Sequence, residues 1–473
     1  MFESTLTPVL HEIFTRWEIP GLSLGLVQDN EIIYAREFGV QNLKTLTTVS
    51  FDTLFCMASV SKPFVATAIM QLVEKGEIDL DIPIIQYLPY FEIDDDRYQQ
   101  ITPRQILSHT SGMPDLTELE YIELWKYPEY DDSASERFVK GLRKKKLVAD
   151  PGERFHYSNI AYNVLGHLIA KVTGISFERY MKEHILVPAG MPHSTYLIEE
   201  IPKELMAVPH LRAPGAMVNP IYPYHRADGP SSNLHSSARE MCQWCKICLE
   251  LSNSTVWNIL NPDHFETMWT PAIKRGGLSI NEFTGLGWNL GTYKGEKTIS
   301  HMGGAAGFNS FLVILPVKSR AAVAMFNTES QAIYRILWAV LDALVDEEPL
   351  AKSVSWMLPV SRALELGGID KAHSLYKELK ENHQQEEYFI DKFSLIMLAQ
   401  HLMMADKAAL AIEVLRFNIE VFPGDSCSYV CLARAYLTQK KIAQAEESIR
   451  KALLVNPDDF EAIDLMKNIC DCR

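Results

Sequence analysis

At 473 residues the chain is too long for one ordinary hydrophobic core, so two or three domains are expected. Its composition, 47% hydrophobic and 22% charged, is that of a soluble globular protein. A formal charge of −15 argues against nucleic acid and anionic membrane surfaces, both of which need a basic face, and no apolar run approaches the ~20 residues of a membrane span.

The first residues, MFESTLTPVLHEIF, lack the basic start and unbroken apolar stretch of a signal peptide, so a cytoplasmic protein is expected. Leu6, Val9, Leu10, Ile13, Phe14 and Trp17 instead follow a helical period. GLSLGLVQ, a turn at Asp29-Asn30 and EIIYAREFG then read as a β-hairpin. A short apolar segment, Leu54 to Met57, gives way to Ser59-Val60-Ser61-Lys62 and a long apolar helix from Phe64 to Val73, ending near Gly76. A serine three residues before a lysine can share one helix face with it, and a neutral amine there can take the hydroxyl proton. The same spacing recurs at Ser374/Lys377 and Ser448/Lys451, where helical, polar surroundings make both pairs ordinary surface residues.

From about Asp81 to Pro271 the pattern is mostly helices and long loops. Thr102-Pro103-x-Gln105 opens one helix with a capping box and an early proline. Tyr157-Ser158-Asn159 follows a turn at Pro151-Gly152 and opens another, with Ala161, Leu165, Leu168, Ile169 and Val172 on its apolar face. Aromatics Trp125, Tyr127, Tyr130, Tyr222 and Tyr224 fall in irregular stretches that either roof a cleft or pack as loops. Ser237-x-x-Glu240 makes a capping box before Cys242, Cys245 and Cys248, which read as packed thiols because no second CxxC or HxxH pair accompanies them. Cys56 reads as a small buried hydrophobe, and Cys470 and Cys472 as unpaired and reduced. Strands return at Leu286–Thr292, Lys297–Ser300, Asn309–Leu315 and Ala321–Phe326, and a helix follows from Gln331 to Val345. His301-Met302-Gly303-Gly304 lies at the end of the second of these strands.

Beyond about residue 353 strand signals vanish and a 34-residue repeat appears. Tyr429, Leu432, Ala433, Tyr436, Ala445, Ile449, Ala452 and Pro457 match the tetratricopeptide pattern, and Leu395, Leu398, Ala399, Leu402, Ala411, Leu415 and Pro423 occupy equivalent places one repeat earlier. Ala363, Gly367, Ala372 and Tyr376 form a looser copy. The expected division is a domain over 1–350, with one lobe from about 1–80 and 272–350 and a helical lobe over 81–271, then helical repeats over 351–473. The fold class is α+β, an antiparallel sheet flanked by helices with an inserted helical lobe, followed by an all-α region.

Taken in order, Ser59-x-x-Lys62, Tyr157-x-Asn159 and His301-x-Gly303 resemble the motifs of the serine β-lactamase and penicillin-binding-protein superfamily. The stretches ITPRQILSHTSGMPD, PGERFHYSNIAYNVLGHLIAKVTG, FTGLGWNL and HMGGAAGFNSFLVILP resemble its class C-like hydrolases, which include carboxylesterases and D-amino-acid peptidases. The resemblance covers roughly residues 5–345 and implies a catalytic cleft between two lobes. By it, Ser59 is the acylated nucleophile, Lys62 its partner and Tyr157 a proton shuttle. Asn159 donates to substrate or to Lys62, and the Ser59 and Gly304 N–H groups bind the oxyanion, with Gly303-Gly304 allowing close approach. Lysine is charged at neutral pH, so serving as a base demands a shift of ~3–4 units, or ~4–5 kcal/mol, supplied by burial and the nearby helix N-terminus. Tyr157 is the alternative base.

His301 departs from the lysine that many penicillin-recognising members carry. A histidine is mostly neutral at pH 7, so weaker carboxylate recognition is expected, with ester or amide substrates ahead of β-lactams. His109 is expected to be structural, holding a loop near the cleft. No metal or cofactor is implied. The leading expectation is a serine hydrolase acting on a small ester, amide or peptide substrate. The alternative is an interaction protein whose repeats, residues 353–473, bind a protein partner or another copy of the chain.

Overall fold

The computed structural model describes residues 2–212, 215–251, 259–350, 354–381, 388–389 and 391–471. The chain divides into two compact units, one of residues 1–11, 19–209 and 222–349, the other of 12–18, 210–221 and 350–473.

The first unit is built on a nine-stranded antiparallel sheet. Its strands are β1 (Gly21–Gln28), β2 (Glu31–Asn42), β3 (Thr47–Thr48), β4 (Ile273–Lys274), β5 (Phe283–Thr284), β6 (Asn289–Tyr293), β7 (Glu296–Ala305), β8 (Phe308–Leu315) and β9 (Arg320–Phe326). They lie in the order β3-β2-β1-β9-β8-β7-β6-β5-β4, so strands from both ends of the segment meet at the β1–β9 pair. The β1–β2 hairpin turns at Asp29 and Asn30 with φ of 48° and 64°, the left-handed pair of a tight turn whose twist suits the strands. β1, β8 and β9 are buried almost throughout, which explains their continuous rather than alternating apolar runs.

Helices α1 (Ser61–Glu74), α2 (Asn159–Thr173) and α3 (Ala238–Leu251) contribute much of the remaining core. α1 is buried along nearly its whole length, with Phe64 stacked on Trp244 of α3 at 4.2 Å between ring centroids. Cys56, Cys242, Cys245 and Cys248 are all buried, free thiols. Only half of the expected Ser237 capping box forms. Ser237 Oγ accepts from the Glu240 N–H at 3.2 Å, while the Glu240 carboxylate turns to the backbone and side chains of His193 and Ser194.

In the second unit, helices Lys392–Met404 and Ser426–Thr438 start and end 34 residues apart, as do Ala408–Val421 and Ile442–Val455. The repeat positions Leu395, Leu398, Ala399, Leu402, Ala411 and Leu415 are buried, and so are Leu432, Ala433, Tyr436, Ala445, Ile449 and Ala452. Helix Met357–Glu381 breaks at Gly367-Gly368, where Gly368 takes φ +70°. Of the two distant serine–lysine pairs, Ser374 is exposed as expected, whereas Ser448 is buried on the inner face of its helix, which corrects the expectation of a surface residue there. Ser374 and Ser448 donate to carbonyls one turn back, at 3.0 and 2.9 Å. Cys472 lies outside the described residues. Among them, no single helix is long and apolar enough to cross a membrane, and no cluster of His, Cys, Asp or Glu could hold a metal ion.

Candidate active site

Ser59 sits in a 3-10 turn, Ala58–Val60, just before α1, and Lys62 is the second residue of that helix. Ser59 thus precedes the helix rather than lying on it, and the three-residue spacing still brings the two side chains together across the junction. Ala58 is held at φ +46°, a conformation that costs a non-glycine residue roughly 1–2 kcal/mol. Neighbouring bonds hold that turn. Ser61 Oγ donates to the Ala58 carbonyl at 2.7 Å and accepts from the Leu234 N–H at 3.0 Å, while the Met57 N–H reaches the Leu234 carbonyl at 2.7 Å.

Lys62 is fully buried, yet its Nζ lies 2.9 Å from Ser59 Oγ, 2.6 Å from Asn159 Oδ1 and 2.9 Å from the Ser231 carbonyl. Burial pushes the amine down to about 7, against the opposing pull of Asp115 and Asp228. A neutral amine has two N–H donors and one lone pair. The Asn159 and Ser231 oxygens can only accept, so they take both donors and leave the lone pair facing the Ser59 hydroxyl. Ser59 itself is partly exposed.

Tyr157 donates to Ser59 Oγ at 2.8 Å from the other side. Burial raises its phenol well above the ordinary range, which keeps it a neutral donor. Its ring lies 4.2 Å from that of His109, nearly parallel, and 4.9 Å from Lys62 Nζ. His109 Nδ1 accepts from the Ser158 N–H at 3.2 Å, and its carbonyl accepts from the His156 N–H at 2.8 Å. His109 thereby aligns the tyrosine's segment at the start of α2. Ser158 caps that helix, accepting from Ala161 N–H at 3.2 Å, so Asn159 emerges on its first turn.

The Asn159 amide is oriented from behind. Its Nδ2 donates to Asp115 Oδ2 at 2.8 Å, and Asp115 Oδ1 accepts from Tyr121 OH at 2.9 Å. Asp115 and the buried Asp228 escaped the residue-by-residue reading, although Asp115 closes the HTSGMPD stretch. Burial raises both carboxyls, Asp228 to about 7. Of the aromatics, Trp125 stacks on Tyr121 at 5.3 Å, Tyr222 packs on Phe308 at 5.7 Å, Tyr130 lies on Tyr224 at 5.6 Å, and Tyr127 is 74% exposed.

His301, Gly303 and Gly304 lie within β7, which continues to Ala305 rather than stopping at the motif. The sequence places the strand end too early because glycines read as breakers, whereas here β8 pairs through them, Gly303 opposite Ser310. A Cβ at Gly303 would sit 2.3 Å from the Met57 carbonyl and 2.4 Å from Ser310 Oγ, so the serine turn presses directly on this strand. Gly304 is exposed. His301 is buried, its Nδ1 donating to the Met302 carbonyl at 2.9 Å, and burial drops it to about 3. It carries no charge for a substrate anion. A cation does stand nearby: Arg275, just after β4, lies 5.2 Å over the Phe155 ring and donates to Asn289 Oδ1 at 2.5 Å. Phe155 meets His109 edge-on at 5.9 Å. No ion pair is formed by Arg275 among the described residues.

"Protein flp" of Staphylococcus aureus (strain MW2) is 23% identical over 338 residues, 71% of this chain, and the match spans 65% of that protein's length. "Beta-lactamase-like protein 2" of Dictyostelium discoideum is 28% identical over 244 residues, 49% of this chain and 44% of that protein. Among solved structures, the octameric penicillin-binding protein homologue from Pyrococcus abyssi matches at TM-score 0.65 with 26% identity, covering 77% of this chain and 81% of its own. D-amino acid amidase from Ochrobactrum anthropi SV3 shares the fold at TM-score 0.61 and 21% identity, covering 73% of this chain and 99% of its own. The Beta-lactamase family model matches residues 11–347, and the chain therefore belongs to the beta-lactamase family, within the serine hydrolase superfamily.

Proposed function

We propose that the protein hydrolyses a small ester or amide through an acyl-enzyme on Ser59. The observation that carries this reading is the contact of a buried, dischargeable amine with a partly exposed hydroxyl, 2.9 Å apart. Lys62 Nζ takes the Ser59 proton as Oγ attacks the acyl carbon. The oxyanion forms against the Ser59 and Gly304 N–H groups. Tyr157 relays the proton from Lys62 to the leaving group, and water attacks the acyl-enzyme by the reverse path. The same contact speaks against a lobe that serves only as scaffold.

A fluorophosphonate probe is expected to add its mass at Ser59 in the intact chain and to add nothing in Ser59→Ala. An unlabelled wild-type protein with no turnover of p-nitrophenyl esters, D-alanyl amides or nitrocefin would end the reading. Esters are expected to lead that panel and nitrocefin to trail, since His301 is neutral.

Arg275 modifies the expectation of weak carboxylate recognition. A half-buried guanidinium with one side-chain acceptor retains free donors, and a charge-assisted bond contributes ~1.5–3 kcal/mol. Mono-p-nitrophenyl glutarate is expected to outperform p-nitrophenyl butyrate. In Arg275→Gln that preference, measured as a ratio of kcat/KM, should fall by about tenfold or more.

A further inference from the structure

Asp228 ends the 3-10 turn Arg226–Asp228 and has no exposed surface. Its Oδ1 accepts from Asn163 Nδ2 of α2 at 2.9 Å. The other two oxygens of this pair, Asp228 Oδ2 and Asn163 Oδ1, are both buried and both without a hydrogen-bond partner. Two orphaned acceptors on facing side chains are costly when the groups are read as a carboxylate and an amide. One proton removes both faults. Placed on Asp228 Oδ2, it donates to Asn163 Oδ1 and closes a cyclic pair with two hydrogen bonds.

We infer that Asp228 is a neutral carboxylic acid in the resting protein, locked to Asn163 as an acid–amide pair, and that its proton leaves Lys62 free to act as a neutral base.

The groups facing Asp228 fit this assignment. Asn163 comes from α2, Lys62 from α1, Asp115 from the loop after the HTSG stretch, and Tyr121 and Trp125 from helix Glu118–Lys126. The only cation among them is Lys62. The Trp125 indole N–H is directed at the same carboxyl, and the oxygen of a protonated Oδ2 can still accept from it. Burial, with Asp115 adding to it, raises Asp228 to about 7.

Charge balance links the acid to catalysis, a step that rests on the Ser59–Lys62 reading. With Asp115 and Asp228 both ionised, removing the Lys62 proton would leave two uncompensated negative charges among buried groups, so the amine would stay charged. With Asp228 neutral, only Asp115 opposes the loss. Asp228 is a positioning residue here: below about 7 its proton stays on the Asn163 pair and takes no part in the transfers of turnover.

Infrared difference spectra of the full chain against Asp228→Asn test the inference. A protonated-carboxyl C=O band is expected in the wild type at pH 6, absent from the variant and fading as pH rises through about 7. This readout needs no activity, so it can succeed or fail independently of the Ser59 reading. In Asp228→Asn the amide reproduces the cyclic pair without a charge, so the acid limb of its kcat/KM profile should overlay the wild type. An ionised Asp228 would instead have held Lys62 charged, and its loss would move that limb down by a unit or more. Stability gives a third arm. A carboxyl raised in the folded state contributes stability that is fully present below ~4 and lost as pH rises through about 7, so Asp228→Asn should gain thermal stability over the wild type from pH 5 to 8. If that variant does not fold, Asn163→Ala should shift the carboxyl band, because the acid loses its acceptor. A missing band, an unshifted band in Asn163→Ala, or a displaced acid limb would each overturn the assignment.

Discussion

Lys62→Met is expected to lower kcat/KM for an activated ester by about 10³–10⁶, the range lost when a nucleophile's base is removed. Methionine fills a slot of similar length, so the buried position is not emptied. What disappears is the lone pair beside Ser59 Oγ. Asn159 Oδ1 and the Ser231 carbonyl also lose a donor, at about 1–3 kcal/mol each if nothing replaces it. The pH profile separates the two candidate bases. With Lys62 held to about 7 and active as the neutral amine, wild-type kcat/KM rises as pH climbs through about 7 and levels above it. The residual activity of Lys62→Met should lose that limb. A variant that kept both the limb and most of the rate would make Tyr157 the base, against the upward push that burial gives its phenol. Rates between pH 5 and 9, with circular dichroism to check the fold, decide between them.

Local chemistry made one half of this site legible and long-range chemistry hid the other. Ser59 and Lys62 could be paired from sequence because three residues of spacing fix their geometry in any tight helical turn. Tyr157 and Asn159 were legible as a helix start, since Ser158 is a strong cap. The repeat helices were legible from small and apolar residues recurring at a fixed period. Asp115, Asp228, Ser231 and Arg275 carry no such period. Each is an ordinary polar residue in a loop or short turn, and its place beside Lys62 or Tyr157 depends on how α1, α2 and the loops pack. The charge that sets the amine is therefore a tertiary property, even though the amine is found by a motif. β7 shows the opposite error. Local propensity ends a strand at Gly303-Gly304, but pairing with β8 carries it through, because the serine turn needs the room that a side chain would occupy.

That room yields the second large effect. Gly303→Ala is expected to reduce kcat by about 10²–10³, comparable to losing an oxyanion donor, and to lower stability by ~1–3 kcal/mol through overpacking. The added Cβ would meet the Met57 carbonyl at 2.3 Å, Ser310 Oγ at 2.4 Å and Ala58 Cβ at 3.2 Å. None of these can yield cheaply. The Met57 carbonyl accepts from Ser310 Oγ at 2.6 Å and from the Val60 N–H at 3.1 Å, while Ala58 is already in a left-handed conformation. Any displacement therefore passes straight into the turn that aims Ser59 at Lys62 and Tyr157. Gly304→Ala is the matched control, because its Cβ would approach only Asn309 Nδ2, at 3.4 Å. It leaves the Gly304 N–H in place and should cost less than about tenfold. Ester kinetics and thermal melts on both variants test the contrast. Equal losses would mean that the two glycines serve the cleft alike and that the pressure of β7 on the serine turn does not govern the rate.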